Sequence, residues 1–577
     1  MVATEGGAAQ TPSRGFWERT LAPFLEEYYL LLCFLLVIVA CFRIISTYNA
    51  LSLTNDEPSH FATGMEFIAN HVYALQRQEE SLFYEQPPLS RSLVALGPYL
   101  AGARPQAGFS RMTDEGYAII VRSGNIDRTI FLMRLGNLSF FLLACVVICI
   151  WASRAFGKPV AVLALMLFTL LPPVLADTGV ATTDIALAAT AGAAFVAGIA
   201  WAEKPTWFRS LLFGFFAALA ILSKFTALGY LPAALFLALI AHWTLHWPGW
   251  RGLWGSFKRY APMFALAGIV TLLVIWAGYW FSFGVIEVHR LRTSLRVPAP
   301  ELFAGIRVAL QHDQRGHTDY LLGKFSRTGW WYYFPVALLV KLPIAFLILL
   351  ALGSFMCLRE RRRAGYLLPV AFSLGVLIPA MQSRIDVGIR HIEPIFIGLS
   401  IISAVGLRQL LQWSRTTLVW ALSAGALMTW MTISGAVHHP DYFTYFNEFA
   451  LGDPARILVD SNYDWAQDYK LLSRRLNELG VTEFWLATSW PADGSHFRNL
   501  QPLNGLPTVK KANDFVASPG WTVVSPTYDK STRFTADGSS RTPFWYDLVT
   551  PRERVGALML YYMPADKAPP SRGAGSE

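Results

Sequence analysis

Apolar residues run along this chain in long blocks, broken by short polar stretches. A hydrocarbon core needs about twenty apolar residues per helix. Blocks of that kind fall at 28–47, 130–152, 159–176, 184–201, 209–222, 227–243, 261–282, 331–356, 365–381, 392–406 and 417–436. The pattern predicts about eleven transmembrane helices, with 209–222 and 392–406 the shortest blocks. Two further runs differ in kind. Over 59–78, Phe61, Met65, Ile68, Val72 and Leu75 recur at helical spacing with charges between them, and 87–103 opens on Pro87-Pro88-Leu89 with Arg91 as its one charge. Both read as helices lying in the membrane interface. Past about residue 437 the long blocks stop. A helix-like run at 464–479 precedes apolar stretches at 483–488, 521–525 and 556–562, the alternation of a small α/β domain.

The expected organisation is a tail at 1–27, a membrane domain at 28–436 with large loops at 48–129 and 283–329, an α/β domain at 437–565, and a polar, small-residue tail at 566–577 that reads as disordered. An odd number of spans puts the ends of the chain on opposite sides. One set of short loops holds Arg154, Lys158, Lys204, Arg209, Arg251, Lys258, Arg259, Arg359, Arg361, Arg362, Arg363, Arg408 and Arg415. The alternate set holds only Lys224, Arg384 and Arg390. The basic set belongs in the cytoplasm. The N-terminus is therefore expected inside, and both large loops and the α/β domain outside.

Composition agrees. Charged residues are 15% of the chain, against about 25% in soluble proteins, the hydrophobic set is 54%, and mean hydropathy is +0.38. This excludes a soluble enzyme, a disordered chain and a disulfide-stapled secreted scaffold. The net charge is +9, yet from His438 onward there are 14 Lys+Arg and 16 Asp+Glu, which leaves 34 against 23 for the rest. The basic excess belongs to the membrane part and no Lys/Arg run marks a soluble face, which argues against nucleic-acid binding. The five cysteines fall in or beside apolar blocks and form no CxxC site or disulfide framework.

The topology sorts the polar residues. Asp56, Glu57 and His60 follow the first block. Asp177 and Asp184 flank a short outer connection, and Lys224 sits in the next. His317 lies in the second large loop, and Arg384, Asp386, Arg390 and His391 form the last outer connection. Each alone has a plain reading as a helix cap, a snorkelling cation or a lipid-phosphate contact. Together on one face they mark a candidate site. Asp56, Glu57, His60, Asp177 and Asp184 are also the possible ligands of a divalent metal, although their spacing matches no recognisable coordination pattern.

Several stretches carry a resemblance. They are Asp56-Glu57-Pro58-Ser59-His60, Gln86-Pro87-Pro88-Leu89, Ala181-Thr182-Thr183-Asp184-Ile185-Ala186-Leu187, Ser223-Lys224-Phe225-Thr226, Gly329-Trp330-Trp331-Tyr332-Tyr333-Phe334-Pro335 and Gly388-Ile389-Arg390-His391-Ile392-Glu393-Pro394. In order and in membrane side they resemble the GT-C fold glycosyltransferases, in particular the protein O-mannosyltransferase and aminoarabinose-transferase group (glycosyltransferase family 39-like). Tyr445-Phe446-Asn447-Glu448 and Asp460-Ser461-Asn462-Tyr463-Asp464-Trp465 resemble a bacterial subgroup. Asp177 departs from a His common in relatives, and Glu393 from a usual apolar residue.

The resemblance implies a bacterial inner-membrane enzyme. Its donor would be a polyprenyl-phosphate sugar, and its acceptor a protein, glycolipid or polysaccharide at the periplasmic face. Asp56 is then the expected general base, with Glu57 as a second catalytic residue that orients acceptor or donor hydroxyls. His60, Asp184, Lys224, His317, Arg384, Arg390 and His391 are the expected substrate-binding residues, and a single displacement would invert the sugar. The competing classes are a secondary transporter, for which an internal repeat is expected and none is seen, and a non-catalytic sugar-lipid-binding membrane protein.

Overall fold

The structure is a computed structural model describing residues 15–567 apart from 72, 74–85, 289–292, 415–416, 490–500 and 534–542. Most of the expected N-terminal tail and C-terminal disordered stretch, the end of the 59–78 run and Arg415 lie outside the described residues.

All eleven apolar blocks are helical, in three forms. Seven are unbroken helices long and apolar enough to cross a membrane: Tyr29–Thr47, Ile126–Phe156, Asp184–Glu203, Ala227–Leu245, Lys258–Gly278, Ile395–Trp413 and Leu418–Val437. Trp207–Ser223 and Gly365–Ala380 are shorter. The other two blocks are bent pairs. Lys158–Leu170 meets Pro172–Thr178 at 66°, and Tyr333–Lys341 meets Ile344–Arg359 at 118°. Pro172, Pro173 and Pro343 stand at the breaks, where proline supplies no N–H and its ring crowds the preceding turn. The 392–406 block continues to Trp413 through Arg408, Gln409 and Gln412, polar residues that shorten it in a hydropathy reading.

Each break leaves backbone groups without helical partners, which cannot stay bare at membrane depth. Distant asparagines supply partners. Asn447 Nδ2 donates to Leu339 O (2.6 Å) and Leu342 O (2.7 Å), and its backbone N–H donates to Val340 O (2.9 Å). Asn137 Nδ2 donates to Val180 O (2.7 Å) and Thr182 O (2.8 Å) beyond the other break.

Ile395–Trp413 forms the centre of the bundle and is buried from Ile395 through Leu407. The outer helices present apolar side chains outward, such as Leu30, Phe34, Phe42, Phe264 and Leu272, as lipid requires. In the first large loop, Glu57–Asn70, Pro88–Leu100 and an unpredicted third helix, Met112–Arg122, share a core with the start of Ile126–Phe156 through Phe61, Met65, Val94, Ile120 and Met133. Glu57 to Phe67 are buried in protein, while Pro88–Leu100 turns Leu96 and Leu100 outward.

Two hairpins occupy the second large loop: β1 (Phe283–Val288) with β2 (Thr293–Pro298), and β3 (Asp319–Leu321) with β4 (Lys324–Ser326). After the last span, short turns lead to helix Tyr469–Glu478 and a five-stranded sheet. Its strands are β5 (Glu483–Ala487), β6 (Thr508–Lys511), β7 (Gly520–Val524), β8 (Glu553–Val555) and β9 (Leu558–Met563), in the order β6-β5-β7-β9-β8. β5 runs parallel to β6 and β7, and β9 antiparallel to β7 and β8. Leu472, Leu476, Phe484, Leu486, Val523 and Leu560 build its core with the helix.

Gly64 lets the Glu57–Asn70 and Pro88–Leu100 helices touch, since a Cβ there would lie 2.0 Å from the Arg91 carbonyl oxygen. Gly64→Ala should lower the unfolding temperature in detergent, at a cost of about 1–3 kcal/mol for overpacking. Gly425→Ala, where a Cβ meets nothing within 4 Å, should leave it unchanged or higher. Equal behaviour of the two variants would show that this contact is not tight.

Candidate functional site

Four chain segments that end at the same face of the bundle bring their polar termini together. Asp56 precedes the Glu57–Asn70 helix, Asp184 opens Asp184–Glu203, and Lys224 follows Trp207–Ser223. Arg390 lies in the short turn Ile389–Ile392 before Ile395–Trp413. Arg390 Nη2 donates to Asp56 Oδ2 (3.0 Å) and Nη1 to Asp184 Oδ2 (3.3 Å), while Lys224 Nζ donates to Asp184 Oδ1 (2.5 Å). All four side chains are buried, and Arg390 and Asp56 keep the most exposure, 10% and 11%.

Arg390 has two further supports. Its Nε donates to Ser461 Oγ (3.2 Å), and its guanidinium lies 4.1 Å from the Trp465 ring centre. Ser461 Oγ in turn donates to Val387 O (2.8 Å), in the loop that carries Arg390. Asn462 ties the same loop to the bundle: its Oδ1 accepts from Ile389 N (2.9 Å) and its Nδ2 donates to Tyr333 Oη (2.7 Å). Lys341, in the apolar 331–356 block, donates to the carbonyls of Asn462 (2.6 Å) and Phe443 (2.8 Å).

Two histidines stand beside the cluster. His60 Nδ1 accepts from Arg91 Nε at 3.1 Å. Burial first, and the Arg91 charge second, hold the His60 pKa well below the usual histidine range. The ring is therefore neutral with its proton on Nε2. His391 is likewise held neutral by burial and by Lys224 and Arg390, and its Nε2 is buried without a hydrogen-bond partner among the described residues. Asp177 and Glu393, the two family departures, lie against each other.

Two expectations need correction. Glu57 is fully buried and saturated. It takes Arg134 Nε (2.8 Å) and Nη2 (2.8 Å), Thr54 N (2.8 Å) and Ala181 N (2.8 Å). Arg134 also donates to the carbonyls of Tyr48, Leu51 and Ser52. With both oxygens engaged and no exposure, Glu57 is a positioning residue that anchors the start of its helix. Removing one partner of such a buried pair costs about 3–5 kcal/mol. Arg384 is exposed, donates to Gln314 O (3.2 Å), and does not join the Asp56 cluster. The residues named as possible metal ligands have other partners. Glu57 serves Arg134, His60 serves Arg91 and Asp184 serves the two cations, and no group of three His, Cys, Asp or Glu among the described residues could hold an ion.

His317 is placed beside this cluster, bonded through Nδ1 to Asp319 Oδ1 (3.1 Å). Burial opposes its protonation, but Asp319 and Asp460 outweigh burial and raise its pKa. Asp386 N donates to Asp319 Oδ2 (2.8 Å), and Trp330 N donates to Asp386 Oδ2 (2.6 Å). Burial, with Asp319 and Asp313 nearby, pushes the Asp386 carboxyl up to about 7.

Sequence reasoning missed Arg134, Asn137 and Lys341 as elements of the site, and the braces Ser461 and Trp465. The first three carried a usable signal, as lone polar residues inside apolar blocks. Ser461 and Trp465 lie in the 460–465 stretch that carries the resemblance, but the stretch has soluble composition and no periodicity to tie it to the helix ends.

The helical bundle, with this polar cluster at one end of it, is that of a polytopic membrane protein. Residues 31–291 match the family described as Dolichyl-phosphate-mannose-protein mannosyltransferase, a stretch that includes Asp56, Asp184 and Lys224 and ends before Arg390. No curated protein matches the chain. Among solved structures it is similar to ArnT from Cupriavidus metallidurans bound to undecaprenyl phosphate, with 13% identity, 93% of this chain and 98% of that one covered, and a TM-score of 0.49. It is also similar to the archaeal oligosaccharyltransferase AglB from Archaeoglobus fulgidus in complex with an inhibitory peptide and a dolichol-phosphate, with 11% identity, 87% and 70% covered, and a TM-score of 0.44.

The raised Asp386 carboxyl has a signed consequence. Folding takes up a proton there, so its contribution to stability is full below the ordinary carboxylate range and is lost as pH rises through about 7. Asp386→Asn keeps an oxygen for Trp330 N–H and removes this titration. Between pH 5 and 8 the unfolding temperature of the wild type should fall relative to that of the variant. Parallel profiles would refute the assignment.

Proposed function

We propose that the chain transfers a sugar from a polyprenyl-phosphate carrier to an acceptor at the outer membrane face, with Asp56 as general base. The carrying observation is the shared position of Arg390 between Asp56 and Asp184, with Lys224 on the second carboxylate. Arg390 has five N–H donors, of which Asp56, Asp184 and Ser461 take three. Lys224 has three, and Asp184 takes one. Two donors on each cation remain for a phosphate, in a buried setting where each counts for more than in water. The family description, which names a dolichyl-phosphate sugar donor, supports the same reading.

Asp56 is suited to its role by which of its oxygens is occupied. Arg390 sits on Oδ2, and among the described residues Oδ1 has only Asn55 Nδ2 at 3.4 Å. An acceptor hydroxyl or amine gives its proton to Asp56 as its lone pair attacks the anomeric carbon. The bond from that carbon to the phosphate oxygen breaks, and the electron pair leaves on the polyprenyl phosphate, where Arg390 and Lys224 meet the growing charge. His60 offers its Nε2–H as a neutral donor. One displacement from the opposite face inverts the anomeric centre. The asymmetry of basic residues in the short loops supports a cytoplasmic N-terminus and a site facing the periplasm of a bacterial inner membrane. Residues 437–565 are read as an extracytoplasmic domain that completes the site, which the Ser461 and Trp465 contacts support.

Purified protein supplied with a panel of polyprenyl-phosphate sugars should release polyprenyl phosphate and form a glycoside of inverted configuration, read by NMR. Asp56→Asn should lower turnover by about 10²–10⁴-fold, and Arg390→Lys by about 10²–10³-fold. Full turnover by Asp56→Asn, or a product of retained configuration, would overturn the mechanism. Trp465→Phe keeps an aromatic ring but shrinks the face under Arg390, and Trp465→Leu removes it while keeping the position apolar. Trp465→Leu should lower kcat more than it raises KM.

A further inference from the structure

Next to the Arg390 cluster lies a distinct cleft of about 210 Å³. Tyr320 and Phe325 of the β3–β4 hairpin form one wall, with Tyr333, Asp386, Asp460 and His317 around them. Thr527 and Ser531 of the helix Pro526–Thr532 also line the cleft.

Two independent features suggest that this cleft is built for a ligand. Asp386 is buried, and its Oδ1 has no hydrogen-bond partner among the described residues. Orphan acceptors of this kind are rare and costly in folded proteins. Asp460 has φ of 58°, the left-handed region that non-glycine residues seldom occupy and that gathers at ligand clamps. The conformation is tied down on both sides: Asp460 N donates to Thr527 Oγ1 (3.0 Å), and Asp460 Oδ1 accepts from Ser461 N (2.6 Å). The cleft also adjoins the proposed chemistry. Asp460 feels the charges of Arg390 and Asp56, and its neighbour Ser461 bonds Arg390.

We propose that this cleft is the acceptor site and that it takes a neutral, hydroxyl-rich ring, a saccharide unit. The proposal rests on the reading of Asp56 as the base, which the adjoining cleft would supply with a hydroxyl. A sugar ring has an apolar C–H face and a rim of hydroxyls. Tyr320 and Phe325 offer aromatic surface for the first, and Asp460 and the buried Asp386 offer acceptors for the second. The acidic lining disfavours an anionic ligand. The volume lies below the roughly 300–1,000 Å³ of sites for drug-sized ligands, which suits a single ring. An extended peptide needs about 3.3 Å of groove for every residue.

Saturation-transfer NMR on the full chain in lipid nanodiscs tests this with probes that need no catalysis: methyl glycosides of glucose, galactose, mannose and N-acetylglucosamine, and a Ser/Thr-containing hexapeptide. At least one glycoside should receive saturation from the wild type, and the peptide none. Ser531→Trp, which fills the cleft from an exposed position, should cut that signal at least fivefold with the unfolding temperature unchanged. Asp386→Asn should cut it at least threefold, and Asp56→Asn should keep it. Silence from every glycoside, a signal indifferent to Ser531→Trp, or binding of the peptide alone would overturn the proposal. Glycoside binding that behaves as expected, in a protein that transfers no sugar from any polyprenyl-phosphate donor, would instead overturn the catalytic reading and leave the cleft standing.

Discussion

The arrangement of the site depends on one buried guanidinium. Arg390 needs compensation for the water it has lost, and it receives two carboxylates, a hydroxyl and an aromatic face. Asp56 and Asp184 need a cation for the same reason. Neither requirement is met within any one segment, since the Arg390–Asp56 contact spans 334 residues of chain. Such buried pairs add little net stability over apolar packing, but they are costly to separate. Their effect is selective: packings of the helices that fail to bring these ends together leave uncompensated charge in a low-dielectric setting.

The same logic extends outward through uncharged groups. A membrane bundle of straight helices would have no hollow at its end. Here the prolines at 172, 173 and 343 break two spans and let the chain turn back within protein. Asn447 meets the backbone groups released at Pro343 and Asn137 those of the loop after Thr178, while Arg134 gathers three carbonyls and Glu57 at the start of the first outer helix. Irregular backbone is tolerated at this depth because side chains of the protein take the place of water.

Much of this was legible in the sequence because lipid imposes strict demands. Eleven apolar blocks announced eleven helical segments, and polar residues at their ends announced Asp56, Asp184, Lys224 and Arg390. Three sheet strands were legible for a similar reason, since β5, β7 and β9 carry the apolar runs; β6 and β8 are short and charged and left no such trace. Other distinctions depend on geometry that a linear reading lacks. Arg384 and Arg390 stand six positions apart in one loop and carry the same signal, but only Arg390 lies in the turn that points it back among the helix ends. Asp56 and Glu57 are neighbours with the same chemistry, yet the onset of a helix sends one to the cations and the other into Arg134.

Asn447 also bears on the order in which the molecule is made. The bent pair around Pro343 enters the bilayer roughly a hundred codons before its partner leaves the ribosome. Until then the carbonyls of Leu339, Val340 and Leu342 must borrow hydrogen bonds from water or from the insertion machinery. The bent pair therefore reaches its final hydrogen bonding only after translation has passed the last span.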